Sequence, residues 1–185
     1  VTDIIFGQYN PSGKLTMTFP RSVGPVPLFY YEKNTGRPIY LPSDKYKSKY
    51  LDSPNEPLYP FGYGLSYTEF KYSGLVLSSP QMKKGKTIQA TVTVTNTGNR
   101  TGEEVVQLYI RDLIGSVTRP VKLLKGFQKI SLAPGETMNI SFTIDEEMLS
   151  FWRHDMTFGT EEGDFKVMVG GSSSDLLQAS FSLVP

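Results

Sequence analysis

Few side chains in this chain are able to do acid–base or nucleophilic chemistry. His154 is the one histidine, and no serine on a sharp turn accompanies it, so we predict a surface or capping role rather than a Ser-His-Asp site. The sequence has no cysteine, which excludes thiolate nucleophiles, redox chemistry and cysteine-based metal sites. Only oxygen ligands remain, and no spacing resembles a calcium loop, so we predict no metal and no cofactor.

Carboxylate pairs are the next candidates, because hydrolysis of a glycosidic bond requires two carboxyl groups. Adjacent pairs occur at Glu103-Glu104, Glu146-Glu147 and Glu161-Glu162. Neighbouring residues in a strand point to opposite faces, and we expect these pairs at strand edges and turns. They are therefore predicted to be solvated turn charges. We identify no catalytic and no substrate-binding residue in the chain.

Aromatic residues offer another route to sugar recognition, since aromatic faces stack on the apolar faces of pyranose rings. Phe151 and Trp152 are the candidates, and we expect both to plug one end of the folded core instead. Asn99-Arg100-Thr101 and Asn139-Ile140-Ser141 match the short sequence required for N-glycosylation. Gly62-Tyr63-Gly64 lacks the further glycine, the lysine and the helix of a phosphate-binding loop.

The charge balance does not favour a polyanionic partner. The chain has 19 basic and 18 acidic residues, for a net charge of +1, whereas nucleic acids and anionic membranes select a concentrated basic face. The one cationic cluster alternates with tyrosine in a polar segment, which predicts a solvated linker: Lys45, Tyr46, Lys47, Lys49, Tyr50. No apolar stretch approaches the roughly 20 residues of a membrane span. We predict neither nucleic-acid binding nor a membrane span.

Residues 71–185 predict the strands on which any functional side chain of this part would be placed. In residues 71–185, apolar residues alternate with Thr, Ser, Asn or Gln, the period-two pattern of half-buried strands, at 87–95, 137–144, 165–169 and 177–183. Turns separate these runs, and shorter runs add strands at 75–77, 106–110 and 121–130. About seven such strands predict an all-β, immunoglobulin-like β-sandwich. Without a cysteine pair, a fibronectin type III-like arrangement is expected.

Residues 1–70 follow a different pattern. Residues 1–19 suit the end of a folded domain, with a last helical turn stopped at Gly7, a turn at 10–13 and a short strand at 15–19. Residues 20–70 combine frequent proline, which excludes a regular helix or central strand, with too many aromatic residues for a free tether. We therefore predict an extended Pro- and Tyr-rich arm laid across another surface.

Several motifs, in the same order along the chain, resemble glycoside hydrolase family 3. Residues 3–15, followed by 18–20, are similar to the end of the family's second domain, an α/β sandwich. Residues 34–38 resemble its linker, and 58–68 resemble the segment leading into its fibronectin type III-like domain. Further similar motifs lie within that domain, at 94–98, 105–109, 119–120, 124–127 and 132–136. The resemblance covers nearly the whole chain and is closest to the bacterial periplasmic β-glucosidases.

The resemblance implies the C-terminal part of a retaining, exo-acting enzyme that releases terminal β-D-glucosyl residues from oligosaccharides. Such an enzyme uses a nucleophilic and an acid/base carboxyl group about 5 Å apart. In the family both precede the segment resembled here, so both are expected upstream of Val1, as is any targeting segment. The implied location is periplasmic or secreted. The implied partners are the remaining domains of the enzyme, its oligosaccharide substrate and, in a homodimer, a second copy.

A non-catalytic accessory module is the leading interpretation: the arm clamps other domains, and the sandwich buttresses them or helps dimerisation. A carbohydrate-binding module is the first alternative and would require exposed coplanar aromatic rings. A structural immunoglobulin-like adhesion domain is the second, but it would leave the arm with little to lie on. Tyr46 and Tyr50 are the arm residues that could approach a neighbouring active site, and β-xylosidase or N-acetylglucosaminidase specificity stays open.

Overall fold

The computed structural model describes residues 1–38 and 46–185. Helix α1 (Thr2–Ile5) opens the chain, and the described residues between it and β1 contain no further helix or strand. A second short helix, α2 (Glu146–Leu149), lies between β6 and β7. The strands are β1 (Phe70–Leu77), β2 (Gln81–Lys83), β3 (Ile88–Asn96), β4 (Gly102–Asp112), β5 (Leu123–Leu132), β6 (Thr137–Ile144), β7 (Phe151–Trp152), β8 (Phe158–Gly159), β9 (Gly163–Gly170) and β10 (Leu177–Val184).

The strands form two sheets that pack face to face and one small hairpin. The first sheet has three strands in the order β1-β3-β6, and the second has five in the order β2-β10-β9-β4-β5. β2 runs parallel to β10, and the other neighbours are antiparallel. β7 pairs with β8 in the hairpin. The all-β sandwich predicted from the sequence is confirmed.

Alternation along each strand explains why the sheets face each other. In β3, Ile88, Ala90, Val92 and Val94 are buried in the core, while the polar residues between them are turned away from it. The outward hydroxyls pair across to β6, as in the 2.8 Å contact between Thr91 and the serine opposite. The five-stranded sheet fills the other half of the core, chiefly with Val106, Leu108, Ile110, Phe165, Val167, Val169, Phe181 and Leu183.

All seven predicted strands of the sandwich are present, but β1 and β4 begin five and four residues earlier than predicted, at Phe70 and Gly102. β3 and β6 lie within one residue of the predicted runs, whereas β5 begins at Leu123, two residues later than expected. Three short elements, β2, β7 and β8, were not predicted, because two or three residues are too few to display a period. The division of the chain at residues 19/20 and 70/71 stays a prediction.

The N-terminal segment agrees with expectation in its helix and differs in its strand. The helical turn ends as predicted, with Gly7 at a φ of 71° just beyond α1. The strand expected at 15–19 was wrong, because the backbone bends at Thr16 and Met17. Leu15 still donates to Tyr63 O at 2.8 Å, and Phe19 forms an isolated antiparallel bridge with Tyr59. Within residues 1–38 and 46–185, no helix has the length and apolarity needed to cross a bilayer.

Candidate functional site

The outer face of the five-stranded sheet carries a second buried layer beneath the arm. Alternate residues of β4 face the sandwich core, yet Gln107 and Tyr109, which point the other way, are as deeply buried. Met168 on the neighbouring strand β9 is also buried outside the core cluster. Tyr30 and Phe61 of the arm cover this face, so β4 is covered on both sides. We call the contact between the arm and this sheet the arm–sandwich interface.

Three aromatic rings form the centre of the arm–sandwich interface. Tyr30 stacks on Phe61 with ring centroids 4.3 Å apart, and it meets Tyr109 edge-on at 5.8 Å. Both geometries are favourable for aromatic pairs, which contribute about 1 kcal/mol each beyond the burial of their area. Burial of the Tyr109 hydroxyl raises its pKa, and the nearby Tyr30 raises it further. The phenol therefore stays protonated and donates to Gln107 Oε1 at 2.5 Å.

The Gln107 amide connects the sheet to the arm backbone. Its Nε2 donates to Gly62 O at 3.3 Å and to Gly171 O at 2.7 Å, while its oxygen accepts from Tyr109. Phe61 O in turn accepts from the backbone N–H of Ser173 at 2.9 Å. A buried amide that uses its donors and its acceptor in this way fixes the position of its partners.

Glu104 anchors the N-terminal segment to the same sheet. Its carboxylate lies 2.9 Å from Lys14 Nζ and accepts a 2.9 Å hydrogen bond from the Tyr72 hydroxyl. The prediction of a solvated turn charge is therefore wrong for Glu104, which is 5% exposed. Glu104 shares the core-facing side of the inner strand β4 with Val106, and it therefore lies between the two sheets, next to Tyr72 of β1. Burial, and then the charge of Glu104, raise the pKa of the Tyr72 hydroxyl.

Glu103, on the opposite side of β4, binds Ser12, two residues before Lys14. Its carboxylate accepts from Ser12 at 2.9 Å and forms an ion pair with Lys129 Nζ at 2.7 Å. Hydrogen bonds from Lys129 and then Ser12 lower the pKa of Glu103 from its ordinary value. The adjacent glutamates thus point to different sides of the strand, as predicted, but both hold the segment at 12–14.

We expect a pH-dependent contribution from Glu103. Because its pKa is lower in the folded state than in the unfolded chain, its stabilising effect is present above about pH 4.5 and is lost as the pH falls through the depressed value. Glu103→Gln should therefore melt below the unsubstituted chain at pH 7, and the difference should shrink in acid. Thermal unfolding by circular dichroism from pH 7 to about pH 2 measures this. Glu147→Gln, at an exposed carboxylate, is the control, and a difference unchanged in acid would contradict the assignment.

The other carboxylate pairs hold turns at the opposite end of the sandwich. Glu146 accepts from the backbone N–H of Gly85 and from the Thr160 hydroxyl, and these bonds lower the pKa of Glu146. Glu161 binds the backbone N–H and hydroxyl of Ser116, which lower its pKa in the same way. Glu162 forms an exposed ion pair with Lys84 at 3.0 Å. Their place at the surface and turns agrees with expectation.

His154 and Phe151 lie where the sequence predicted, but Trp152 does not. His154 is exposed in the turn between β7 and β8, and Phe151 is buried against the sandwich. Trp152 is 63% exposed, because it is the next residue of the same strand and points outward. The expectation that both aromatics plug the core is therefore wrong for Trp152. In residues 1–38 and 46–185, no group of three His, Cys, Asp or Glu is placed to hold a metal ion.

The remaining sequence candidates occupy exposed positions. Tyr46 and Tyr50 are exposed, and the Arg37 guanidinium lies 5.7 Å from the Tyr46 ring. Lys45 of the cationic cluster lies outside the described residues. Asn99 is in an exposed turn, whereas Asn139 is in β6 and its Oδ1 accepts from Thr93 across the sheet.

An open apolar groove of about 900 Å³ lies on the N-terminal segment, beside the Lys14 anchor. Residues of α1 and of the two paired stretches around Phe19 and Tyr59 line it, and its apolar wall is formed by Ile4, Tyr9, Leu15, Phe19, Tyr59, Tyr63 and Leu65. Phe6 and Met17, in the same segment, are also exposed. Single exposed apolar residues are ordinary, but a contiguous apolar groove is typical of an interaction surface.

Sequence reasoning missed the arm–sandwich interface, although one signal was available. Residues 105–110 form a nearly uninterrupted apolar run, Val-Val-Gln-Leu-Tyr-Ile, rather than a strict alternation. Such a run is typical of a strand that is buried on both faces. The identity of the covering residues is not encoded in that run, since they lie in a distant part of the chain.

The fold and the interface define a class: a fibronectin type III-like β-sandwich whose N-terminal segment and arm are clamped to its five-stranded sheet. The family model described as "Glycosyl hydrolase family 3 C-terminal domain" matches residues 1–67, and the one described as "Fibronectin type III-like domain" matches residues 104–173. The chain belongs to glycosyl hydrolase family 3, of which it carries the C-terminal region.

Relatives with similar sequence and structure span the whole chain. A periplasmic β-glucosidase of Salmonella typhimurium is 52% identical over 100% of this chain, and a putative β-xylosidase of Formosa agariphila is 49% identical over 97%. The crystal structure of a β-glucosidase from Listeria innocua in complex with glucose has a TM-score of 0.92 and 39% identity over 99% of this chain. The chain spans only about a quarter of the length of these proteins, at 24%, 23% and 26%.

Proposed function

We propose that this chain is the non-catalytic C-terminal accessory module of a retaining, exo-acting β-glucosidase. In this proposal the whole enzyme removes terminal β-D-glucosyl residues from oligosaccharides in the periplasm or outside the cell. The names of the Salmonella and Listeria relatives support a β-glucosidase, and that of the Formosa relative supports a β-xylosidase as the second specificity. The catalytic carboxyl groups are assigned to a part of the enzyme that precedes Val1.

The observation that carries the proposal is the apolar groove on a segment clamped to the sandwich. Residues 1–67 match a domain model, yet the buried hydrophobic core of the chain lies wholly in residues 82–183. The segment instead carries the apolar groove and exposes further apolar side chains such as Phe6 and Met17. We propose that the remainder of the α/β domain covers this surface. The bonds of Glu104 and the packed rings of Tyr30, Phe61 and Tyr109 then fix that domain relative to the sandwich.

A structural role fits the needs of glycoside hydrolysis. Two carboxyl groups must be held at a fixed separation, and small displacements reduce the rate strongly. A rigid sandwich docked behind the domain boundary restrains that separation without contributing a reacting group. The adhesion-domain alternative is disfavoured, because such a domain has no use for an apolar groove beside its first strand.

The isolated 185-residue chain should have no glycosidase activity. Five of the six carboxylates in its adjacent glutamate pairs, all but the exposed Glu147, are engaged in ion pairs or hydrogen bonds, and retaining hydrolysis needs two free carboxyl groups about 5 Å apart in a cleft. Incubation with 4-nitrophenyl β-glucoside and β-xyloside, followed by absorbance, should give release equal to the buffer blank. Release that rises with the concentration of chain would disprove the non-catalytic assignment.

The accessory role is tested on the whole enzyme in the same assay. Deleting residues 71–185 should lower its melting temperature or its soluble yield, because the groove segment would lose the sheet on which it is anchored. Activity and stability equal to those of the complete enzyme would disprove the structural role while leaving the non-catalytic assignment intact.

A further inference from the structure

The hairpin formed by β7 and β8 presents two aromatic rings to solvent at one end of the sandwich. Trp152 stands directly opposite Phe158 in the strand register. Their ring centroids are 5.5 Å apart, and the ring planes meet at 58°. Trp152 is 63% exposed and Phe158 is 56% exposed, so the two rings form an open, V-shaped apolar surface.

The base of this hairpin is fixed to the sandwich. Phe151, on the inward side of β7, is buried, and the guanidinium of Arg119 lies 3.9 Å from its ring centroid. The turn is closed by hydrogen bonds from Arg153 N to Thr157 O at 2.9 Å and from Met156 N to Arg153 O at 3.0 Å. The outward rings are therefore held in place before any ligand arrives, which reduces the entropy lost on binding.

Polar side chains occupy the connection between β7 and β8, at the tip of the hairpin that carries the two rings. The Asp155 carboxylate accepts hydrogen bonds from the Thr157 N–H and hydroxyl, and these bonds lower the pKa of Asp155. Arg153 donates to the same hydroxyl at 2.6 Å, and His154 is exposed beside it. The surface thus combines apolar faces with an ordered set of hydrogen-bonding side chains.

We propose that the Trp152–Phe158 pair is a saccharide-binding site that takes β-linked pyranose oligosaccharides. The axial C–H bonds of a pyranose ring give it an apolar face that packs on an aromatic ring, while its hydroxyls need donors and acceptors at the rim. Both kinds of group are present here. The ring planes meet at 58°, so the pair is not the coplanar platform required of a flat carbohydrate-binding surface, and it suits a chain whose successive sugar rings are turned relative to each other. A protein partner is the less favoured occupant, since a stable protein interface requires about 800 Å² on each side and a core depleted in charge.

The site lies at the surface of the module and gives it a second function, the binding of a glycan chain. Only the linkage and sugar class of the ligand rest on the proposed function; the aromatic and polar geometry does not. The chain can therefore bind a saccharide even if the whole enzyme has another specificity, and it can be a structural module even if the hairpin binds none.

The single tryptophan of the chain makes the test direct, because all tryptophan emission reports on Trp152. The 185-residue chain is titrated with cellotetraose and with xylotetraose while the emission is followed. We expect a saturable change in intensity or wavelength. Phe158→Ala should weaken the affinity by about three- to tenfold, the range expected for loss of one aromatic contact. Phe127→Ala removes an exposed ring from β5 and should leave the affinity unchanged.

Calorimetry with Trp152→Ala provides a second measurement that does not depend on fluorescence. This variant should lose detectable binding while its circular dichroism spectrum and melting temperature stay close to those of the unsubstituted chain, because the ring is largely exposed. The proposal would be overturned by emission that does not saturate up to about 50 mM sugar, weaker than any affinity that such a surface is expected to give. Equal binding by Trp152→Ala would also overturn it.

A final measurement separates a sugar site from a domain interface. In the whole enzyme, quenching of tryptophan emission by acrylamide is compared between the unsubstituted enzyme and Trp152→Phe. The difference in emission between the two is the component due to Trp152, and ready quenching of that component agrees with an open site. A component shielded from acrylamide would mean that protein covers the hairpin, and would overturn the proposal.

Discussion

Replacing Gly62 with alanine should release the arm from the sheet and lower the free energy of unfolding by about 3 kcal/mol. Gly62 has a φ of 79°, a conformation that costs an alanine about 1 kcal/mol or more. A Cβ at this position would lie 2.1 Å from Gln107 Oε1. The amide cannot move aside freely, because it bonds to the Gly62 and Gly171 carbonyls and to Tyr109. Loss of these buried bonds supplies the rest of the effect.

Gly85→Ala is the matched control for this substitution. Gly85 has a φ of 71°, close to that of Gly62, but a Cβ there would meet nothing within 4 Å. It should therefore cost only the backbone penalty of about 1 kcal/mol. Urea denaturation followed by far-UV circular dichroism measures both, and limited proteolysis should cut the arm faster in Gly62→Ala alone. Equal losses in the two variants would show that the arm–sandwich interface does not depend on Gln107.

Glu104→Leu is expected to destabilise the chain by a similar amount, about 3 kcal/mol. The substitution leaves Lys14 Nζ, whose side chain is 17% exposed, without its carboxylate partner 2.9 Å away. It also removes the acceptor of the Tyr72 hydroxyl. A buried cation that has lost its partner is costly, whereas removal of both charges is much less so. The double variant Lys14→Met, Glu104→Leu should therefore recover most of the lost stability.

An exposed ion pair on the same sandwich sets the scale for this effect. Lys84 and Glu162 lie 3.0 Å apart with both side chains about half exposed, at 46% and 48%. Because solvent screens such a pair, Glu162→Leu should change the free energy of unfolding by less than about 1 kcal/mol. Chemical denaturation of the unsubstituted chain, Lys14→Met, Glu104→Leu and the double variant measures the coupling between Lys14 and Glu104. Additive losses would contradict an interaction between them.

These two experiments bear on function as well as on stability. If the N-terminal segment that carries the apolar groove packs against the rest of the α/β domain, then weakening its contacts with the sandwich should also affect the whole enzyme. We expect Gly62→Ala and Glu104→Leu to lower the temperature at which the enzyme loses activity. Gly85→Ala and Glu162→Leu should have little effect, since neither lies at the arm–sandwich interface.

The elements that could be read from the sequence are those in which neighbouring residues carry the information. β3 and β6 follow from strict alternation, and the stop after α1 follows from Gly7. The strand expected at 15–19 failed even though its alternation is good. A strand needs a continuous partner, and the segment around Tyr59 pairs only at its ends.

Among the candidate site residues, too, those set by local sequence were predicted and those set by distant contacts were not. His154 was correctly expected at the surface, because a lone histidine in a turn has little to bury it. The exposure of Trp152 could not be predicted from the sequence. The two-residue strand that turns Phe151 inward and Trp152 outward is too short to display a period. Glu104 was misjudged because its partners Lys14 and Tyr72 lie 90 and 32 residues earlier in the sequence.

The sequence by itself determined that this protein is an all-β sandwich of the family 3 type, since period, turn chemistry and motif order are properties of short stretches. Only the tertiary structure decided that the arm lies on the outer face of β4, that Gly62 must lack a side chain, and that Trp152 faces solvent. Those facts depend on which distant residues meet: Gln107 and Gly62 are 45 positions apart. Burial is a property of the assembled surfaces, and no local pattern specifies the surface that will cover a given strand.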